Sequence, residues 1–247
     1  MSPKRILFVA ILFAPAFGMA AELRMCVDQH PHLPYLTPEG GGTVGRMASR
    51  AAREAGFRLT LFVAPVARCR VEVERGLAHS YPLTPYLPAQ LPFVAYPMRA
   101  GLPDSTRATV RARVALFRPV GGTAQWDGVS ISGIERKVLV PHGSLVLSEV
   151  LRARQVPFDQ EGRSLAINFA KMLAGRGDAA AGFEAEGLQL MAQPPFAGKI
   201  EMLALPLFEQ TYYLGVSKTY YASHGAQVEK MWDALGRLNK AAEALEK

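Results

Sequence analysis

Three places along the chain put polar side chains or free backbone groups where a small ligand could be held. The first is Asp28 and Gln29, at the end of the apolar run Leu23–Val27, with Tyr35 in the loop beyond. Ligands of open parallel sheets sit at the carboxyl ends of strands. Tyr35 offers a ring for packing and a hydroxyl for bonding, and reads equally well as a cover for the core beside its prolines. The second place is Arg68, at the start of a helix, whose fork of donors suits a carboxylate; a solvated surface arginine beside Cys69 is the alternative. The third is Gly143–Ser144, where a strand gives way to a helix and free N–H groups meet the positive end of the helix dipole. Ser144 as a plain N-cap is compatible with that anion site.

Reactive chemistry is harder to find. The five histidines include no H-E-x-x-H, and His30-Pro31-His32 alone makes a poor metal site. Gly-x-Ser-x-Gly is absent, and Gly40-Gly41-Gly42 lacks the Lys-Ser/Thr of a phosphate loop. No catalytic residue, metal or cofactor is therefore expected. Cys26 and Cys69 are the two cysteines, with no C-x-x-C. An even count in an oxidising compartment favours a bridge over two buried thiols, stabilising the fold by about 4 kcal/mol on the chain-entropy model.

The oxidising compartment is read from the first residues. Lys4 and Arg5 precede an apolar run from Ile6 to Phe17 and the small residues Gly18-Met19-Ala20-Ala21. This is the order of a cleavable secretory signal, with the cut near Ala21. The run is shorter than the ~20 residues of a membrane span, and no cysteine at the cut offers a lipid anchor. The expectation is a periplasmic protein of about 225 residues, one large domain or two small ones. The net charge of +7 falls to +5 without Lys4 and Arg5. The basic residues are scattered rather than striped, which argues against nucleic acid as a partner.

The elements that must position these groups follow from periodicity. Leu23–Val27 reads as a buried strand and Gly45–Ala55 as a helix stopped by Gly56. Phe57, Leu59, Leu61 and Val63 alternate as in a strand, and Ala67–Arg75 forms a short helix closed by Gly76. Strand–helix–strand–helix order implies a parallel sheet with crossover helices. Residues 80–105, rich in proline, read as an ordered surface excursion. A second alternation fills 119–205: a strand at Lys137–Val140, a helix with Val146, Val150 and Leu151, a strand at Val156–Phe158, a helix over Ser164–Ala174, an extended Asp178–Gly182, and a helix over Phe183–Met191. Val228, Met231, Trp232, Leu235, Leu238 and Ala242 then share one face of a final helix. If that helix packs on the first lobe, the chain crosses between lobes twice, making a hinge and a cleft.

In this order the segments "LRMCVDQHPHLPYLTPEGG" (23–41), "PVARCRVEVERGLAHS" (65–80), "FVAYPM" (93–98), "WDGVSISGIERKVLVPHGS" (126–144), "KMLAGRGDAAAGFEAE" (171–186) and "YYLGVSK" (212–218) span almost the whole mature chain. The chain resembles a short, divergent member of the family-3 extracellular solute-binding proteins, the periplasmic amino-acid-binding type. The resemblance implies an α/β, two-lobed, type II periplasmic-binding-protein-like fold. Its parts are a signal at 1–21, lobe 1 from 22–112 plus 217–247, lobe 2 at 119–205, and hinge segments near 113–118 and 211–216. It implies a monomer that traps a small polar ligand for an ABC importer or a sensor. Gly143 and Ser144 then help hold a carboxylate, Asp178 is structural, and Glu184 takes the ligand amine.

Two departures bear on the ligand. Amino-acid binders of this type carry an arginine in a T-x-E-R-like segment, where this chain has "LTPYLPAQLPFVAYP"; their Ala-Asp-Gly is here Ala78-His79-Ser80. Losing that charge-assisted bond costs about 2–3 kcal/mol. A different small polar ligand, an enzyme on the same scaffold using Glu184 or Asp28 for proton transfer, and a non-binding interaction module all stay open beside the amino-acid reading.

Overall fold

The computed structural model of the protein describes residues 20–245. The expected signal at 1–21 therefore lies outside the described residues except for Ala20 and Ala21. The first lobe begins with β1 (Glu22–Asp28), α1 (Gly42–Glu54), β2 (Arg58–Ala64), α2 (Val66–Glu74) and β3 (Ser80–Pro85). Short strands β4 (Val94–Ala95), β5 (Met98–Arg99) and β6 (Leu102–Pro103) lead to the long β7 (Val110–Pro119). The second lobe holds the hairpin β8 (Gln125–Trp126) and β9 (Ile131–Ser132), then β10 (Val138–Leu139), α3 (Leu145–Ala153), β11 (Phe158–Asp159), α4 (Leu165–Leu173), β12 (Ala179–Phe183), α5 (Glu184–Met191) and β13 (Ile200–Met202). The long β14 (Phe208–Ser217) returns to the first lobe, where α6 (Lys218–Leu245) closes the chain.

One sheet runs through the molecule in the order β11-β10-β12-β7-β14-β3-β1-β2. At one end β1, β2 and β3 are parallel, and at the other β10, β11 and β12 are parallel. Between them β7 and β14 pair antiparallel over Val110–Val114 and Phe208–Tyr212. Beyond that stretch β7 turns to β12 and β14 turns to β3. Each long strand thus belongs to both halves, and their shared stretch is the ladder on which the halves meet.

The cores follow from side-chain alternation. Val114 and Leu116 of β7 join Trp126, Val138, Leu147 and Leu151 on one face. Ala115 and Phe117 join Leu139, Leu165, Phe169 and Phe196 on the other. This is the two-residue period of a strand covered on both sides. The first lobe has one larger core, in which α1, α2 and α6 cover β1 and β3. Trp232 is fully buried there and donates its ring N–H to Leu214 O at 2.9 Å. Val228, Met231 and Leu235 are buried beside it, as the helical stripe requires. The side chain of Ala242 lies outside the described residues.

The sulfurs of Cys26 and Cys69 are bonded, tying β1 to α2 across a sequence separation of 43 with Cα atoms 5.5 Å apart. Residues 80–105 correct the sequence expectation. Ser80–Pro85 is not surface excursion but a central strand, buried from Ser80 to Thr84 between β1 and β14. Both of its faces are covered, so no apolar–polar alternation marks it. Pro82 cannot donate to the ladder, but its carbonyl accepts from Thr109 Oγ1 at 2.8 Å. In α3 the buried positions are Leu147, Ser148 and Leu151, while Val146 and Val150 are only partly covered. His79, which stands where amino-acid binders have Asp, is structural. It stacks on Tyr220 at 4.0 Å and accepts from the Arg24 N–H at 3.0 Å.

Candidate functional site: a cavity between the lobes

A cavity with about 1070 Å³ of space outside atoms, part of it open to solvent, lies where the two halves face each other. The first lobe supplies Asp28, His32, Val66, Arg70, Tyr81 and Leu83 to its wall; the second supplies Gly143, Ser144, Leu147, Arg163, Phe183 and Glu186. Val114, Phe208 and Tyr212 of the shared ladder form its floor. This mixture of apolar wall and few convergent polar groups is the usual make-up of a small-molecule site.

Its centre is a chain of charge across the lobes. Asp28, at the carboxyl end of β1, is almost fully buried. Its Oδ1 accepts from the His30 N–H at 3.1 Å, and its Oδ2 lies 2.8 Å from His32 Nε2. The other ring nitrogen of His32 lies 3.7 Å from Glu186 Oε2 in α5. Burial disfavours the imidazolium, but the Asp28 and Glu186 carboxylates outweigh it and hold the pKa up to about 10. The imidazolium therefore joins an acid of each lobe. Phe183, the last residue of β12, packs edge-on against His32, Tyr35 and Tyr212, at centroid distances of 5.9, 5.5 and 5.5 Å. Gly143 closes the far side. With φ at +81°, it lies so near α2 that a Cβ there would meet Val66 Cγ1 at 2.6 Å.

The loop that carries His32 and Tyr35 is fixed from within. His32 N–H donates to Leu36 O, and Tyr35 and Leu36 both donate back to His32 O. Gly42 begins α1 at φ +78°, where a Cβ would meet the Tyr35 carbonyl at 2.4 Å. The glycine lets the helix start directly against this loop.

Asp28, Gly143 and Ser144 lie on the cavity wall, whereas Tyr35, Arg68 and Glu184 do not. Tyr35 is spent on Phe183. Arg68 points outward and bonds Glu72 one turn along α2; Arg70 faces the cavity instead. Glu184 Oε1 pairs with Arg113 of β7 at 3.1 Å, and its Oε2 is buried without a hydrogen-bond partner among the described residues. Ser144 is the N-cap residue of α3 but makes no side-chain cap, so that alternative is corrected. Its carbonyl accepts from Ser148 Oγ at 2.6 Å. Asp178 Oδ2 accepts from the Arg136 N–H at 2.5 Å, fixing the chain before β10. Sequence reasoning missed His32, Arg70, Tyr81, Arg163, Phe183, Glu186 and Tyr212. The spacing of Asp28 and His32 was visible, but their partner Glu186 comes from the other lobe.

No family model matches the chain, and no curated protein does. Solved structures do match over nearly its whole length. A histidine kinase sensor domain with similarity to periplasmic binding proteins has a TM-score of 0.71 at 12% identity, covering 91% of this chain and 93% of that one. The GluR0 ligand-binding core from Nostoc punctiforme, in complex with L-glutamate, has a TM-score of 0.67 at 12% identity, covering 90% and 94%. Holo ArgBP from T. maritima has a TM-score of 0.67 at 15% identity, covering 89% and 91%. At these identities the likeness shows the fold. It is the two-lobed α/β fold of the periplasmic-binding-protein type.

Proposed function

We propose that the protein is an extracytoplasmic solute-binding module of the family-3 type, whose lobes close on one small molecule. The observation that carries this reading is the cavity itself: both lobes build its wall, and one imidazolium links an acid from each. The hinge is assigned to 113–118 and 211–216, within β7 and β14. Lobe 1 comprises 22–112 and 217–247, and lobe 2 comprises 119–205. The fully buried Cys26–Cys69 bridge supports a protein that matures outside the reducing cytoplasm, in the periplasm after signal removal. Its neighbours include an ancestral arginine-binding protein and a histidine kinase sensor domain. The module accordingly hands its solute to an importer or reports it to a sensor, and binds without turning it over.

A ligand that binds only the folded, closed form raises the melting temperature by mass action, adding about 2.7 kcal/mol at a hundred times its Kd. Purified protein should therefore show a clear thermal shift with at least one member of a panel of amino acids, amines and organic acids. A panel in which no compound moves the transition would overturn the reading.

A further inference from the structure

The cavity wall distinguishes its acids from its bases. The acids on that wall are Asp28 and Glu186. Both face the same imidazolium, and Asp28 also accepts the His30 N–H. An incoming ammonium would have to take one of them from His32 while standing beside a like charge. Glu184, the acid expected to hold a ligand amine, is outside the wall and paired with Arg113. Glu149 lines only an adjoining, more polar pocket, together with Arg152, and is exposed.

The bases are differently placed. Arg70 on α2, partly buried, and Arg163 just before α4, exposed to solvent, line the cavity from opposite lobes. Neither has an ion pair or a side-chain hydrogen bond among the described residues. Tyr81 and Tyr212 also reach the wall, with no hydrogen-bond partner for either hydroxyl among the described residues. Burial pushes both phenols well above their ordinary range, so they remain donors at any working pH. The rest of the lining is mainly aliphatic and aromatic, including Leu83, Val94, Leu145, Leu147 and Phe208, with Thr84, Gln90, His142 and Ser144 as its other polar side chains.

We propose that this cavity takes an apolar organic anion, a monocarboxylate with an aliphatic or aromatic body and no ammonium group. The carboxylate lies against Arg70 and Arg163, the tyrosine hydroxyls donate to it, and the hydrocarbon body fills the rest. This rests on the solute-binding reading above and narrows it away from α-amino acids.

The test is calorimetric titration of the full mature chain at pH 7.5 with three matched probes: 3-phenylpropionate, L-phenylalanine and 2-phenylethylamine. An aliphatic set, 4-methylpentanoate, L-leucine and 3-methylbutylamine, runs beside them. The expected result is that one carboxylate binds at least ten times more tightly than its amino acid and its amine. Arg70→Gln should then weaken that carboxylate by about 10- to 100-fold, the range for a charge-assisted bond, with Arg70→Lys recovering part of the loss. Circular dichroism establishes that both variants are folded. Tighter binding of an amino acid or amine overturns the anion assignment while leaving solute binding intact. Equal binding of the carboxylate to wild type and Arg70→Gln overturns the placement of the carboxylate. Silence from all six probes overturns the proposal; silence in the thermal panel as well removes the solute-binding reading with it.

Discussion

The two lobes share a sheet but hold together by different means. In the first, a covalent bridge joins the first strand to the second helix, and three helices close over one large core. The second has no cysteine. Its core is divided between two faces of the sheet, and its outer strand is held by Asp159, which lies 3.0 Å from Lys137 Nζ and 3.2 Å from Lys171 Nζ. The difference teaches where closure can be controlled. A lobe stapled around the loop that carries His32 offers a fixed surface, and the second lobe brings Phe183, Glu186 and Gly143 to it.

Four perturbations sharpen this contrast. Phe169 is fully buried and packs edge-on between Phe117 and Phe196. Phe169→Ala should cost about 3–5 kcal/mol, seen in urea unfolding as a loss confined to the second lobe when tryptophan fluorescence is followed at Trp126 and Trp232 separately. Replacing Cys26 and Cys69 together by serine should cost about 4 kcal/mol and move the Trp232 signal. If both substitutions shift both signals equally, the lobes unfold as one unit and the contrast fails for stability.

The third perturbation acts between the lobes. His32→Ala leaves the Asp28 and Glu186 carboxylates facing each other without their cation, and should weaken closure by about 3 kcal/mol. Small-angle scattering should then report a more open molecule. The same link gives a pH dependence. The pKa of His32 is raised from 6.5 to about 10 in the folded form, so its contribution is fully present below pH 6.5 and is lost as pH rises through about 10. Wild type should open over that interval, and His32→Ala should not respond.

The smallest effect belongs to Asp159→Asn, about 1–3 kcal/mol from a broken charge-assisted contact. Burial opposes ionisation of Asp159, but the Glu161 N–H, Lys137 and Lys171 bring its pKa down to about 2. Its contribution is present above pH 3.8 and is lost as pH falls through about 2. An acid titration should show the wild-type second lobe failing over that range, with the variant flat there.

Much of the framework was legible because one face of each element is wet. The stripe around Trp232 records one covered face, and glycines mark the stops after α1 and α2; β2 is a strand as its alternation suggests, but Leu61 and Val63 of that alternation are exposed while Phe62 packs on the core. β3 was hidden because both its faces are covered. The ligand side chains were harder for a geometric reason. Arg68 and Arg70 are two residues apart, so they point about 200° apart around a helix, and only the packing of α2 on β1 decides which faces the cavity. The Asp28–His32–Glu186 chain was beyond reach, since Glu186 meets His32 only when the lobes are assembled. Glu184, expected from the resemblance alone, is instead taken by Arg113 of the shared ladder.

The most direct test of closure on a small molecule is a distance between the lobes. Arg46 on α1 and Arg176 after α4 are both exposed, and cysteines placed there can carry nitroxide labels while the native bridge stays oxidised. Pulsed electron resonance on this doubly labelled protein, with and without a compound that raises its melting temperature, is expected to give a distribution that shortens and narrows on binding. A compound that raises the melting temperature and leaves the distribution unchanged would contradict the account, because its site would lie outside the interlobe cavity.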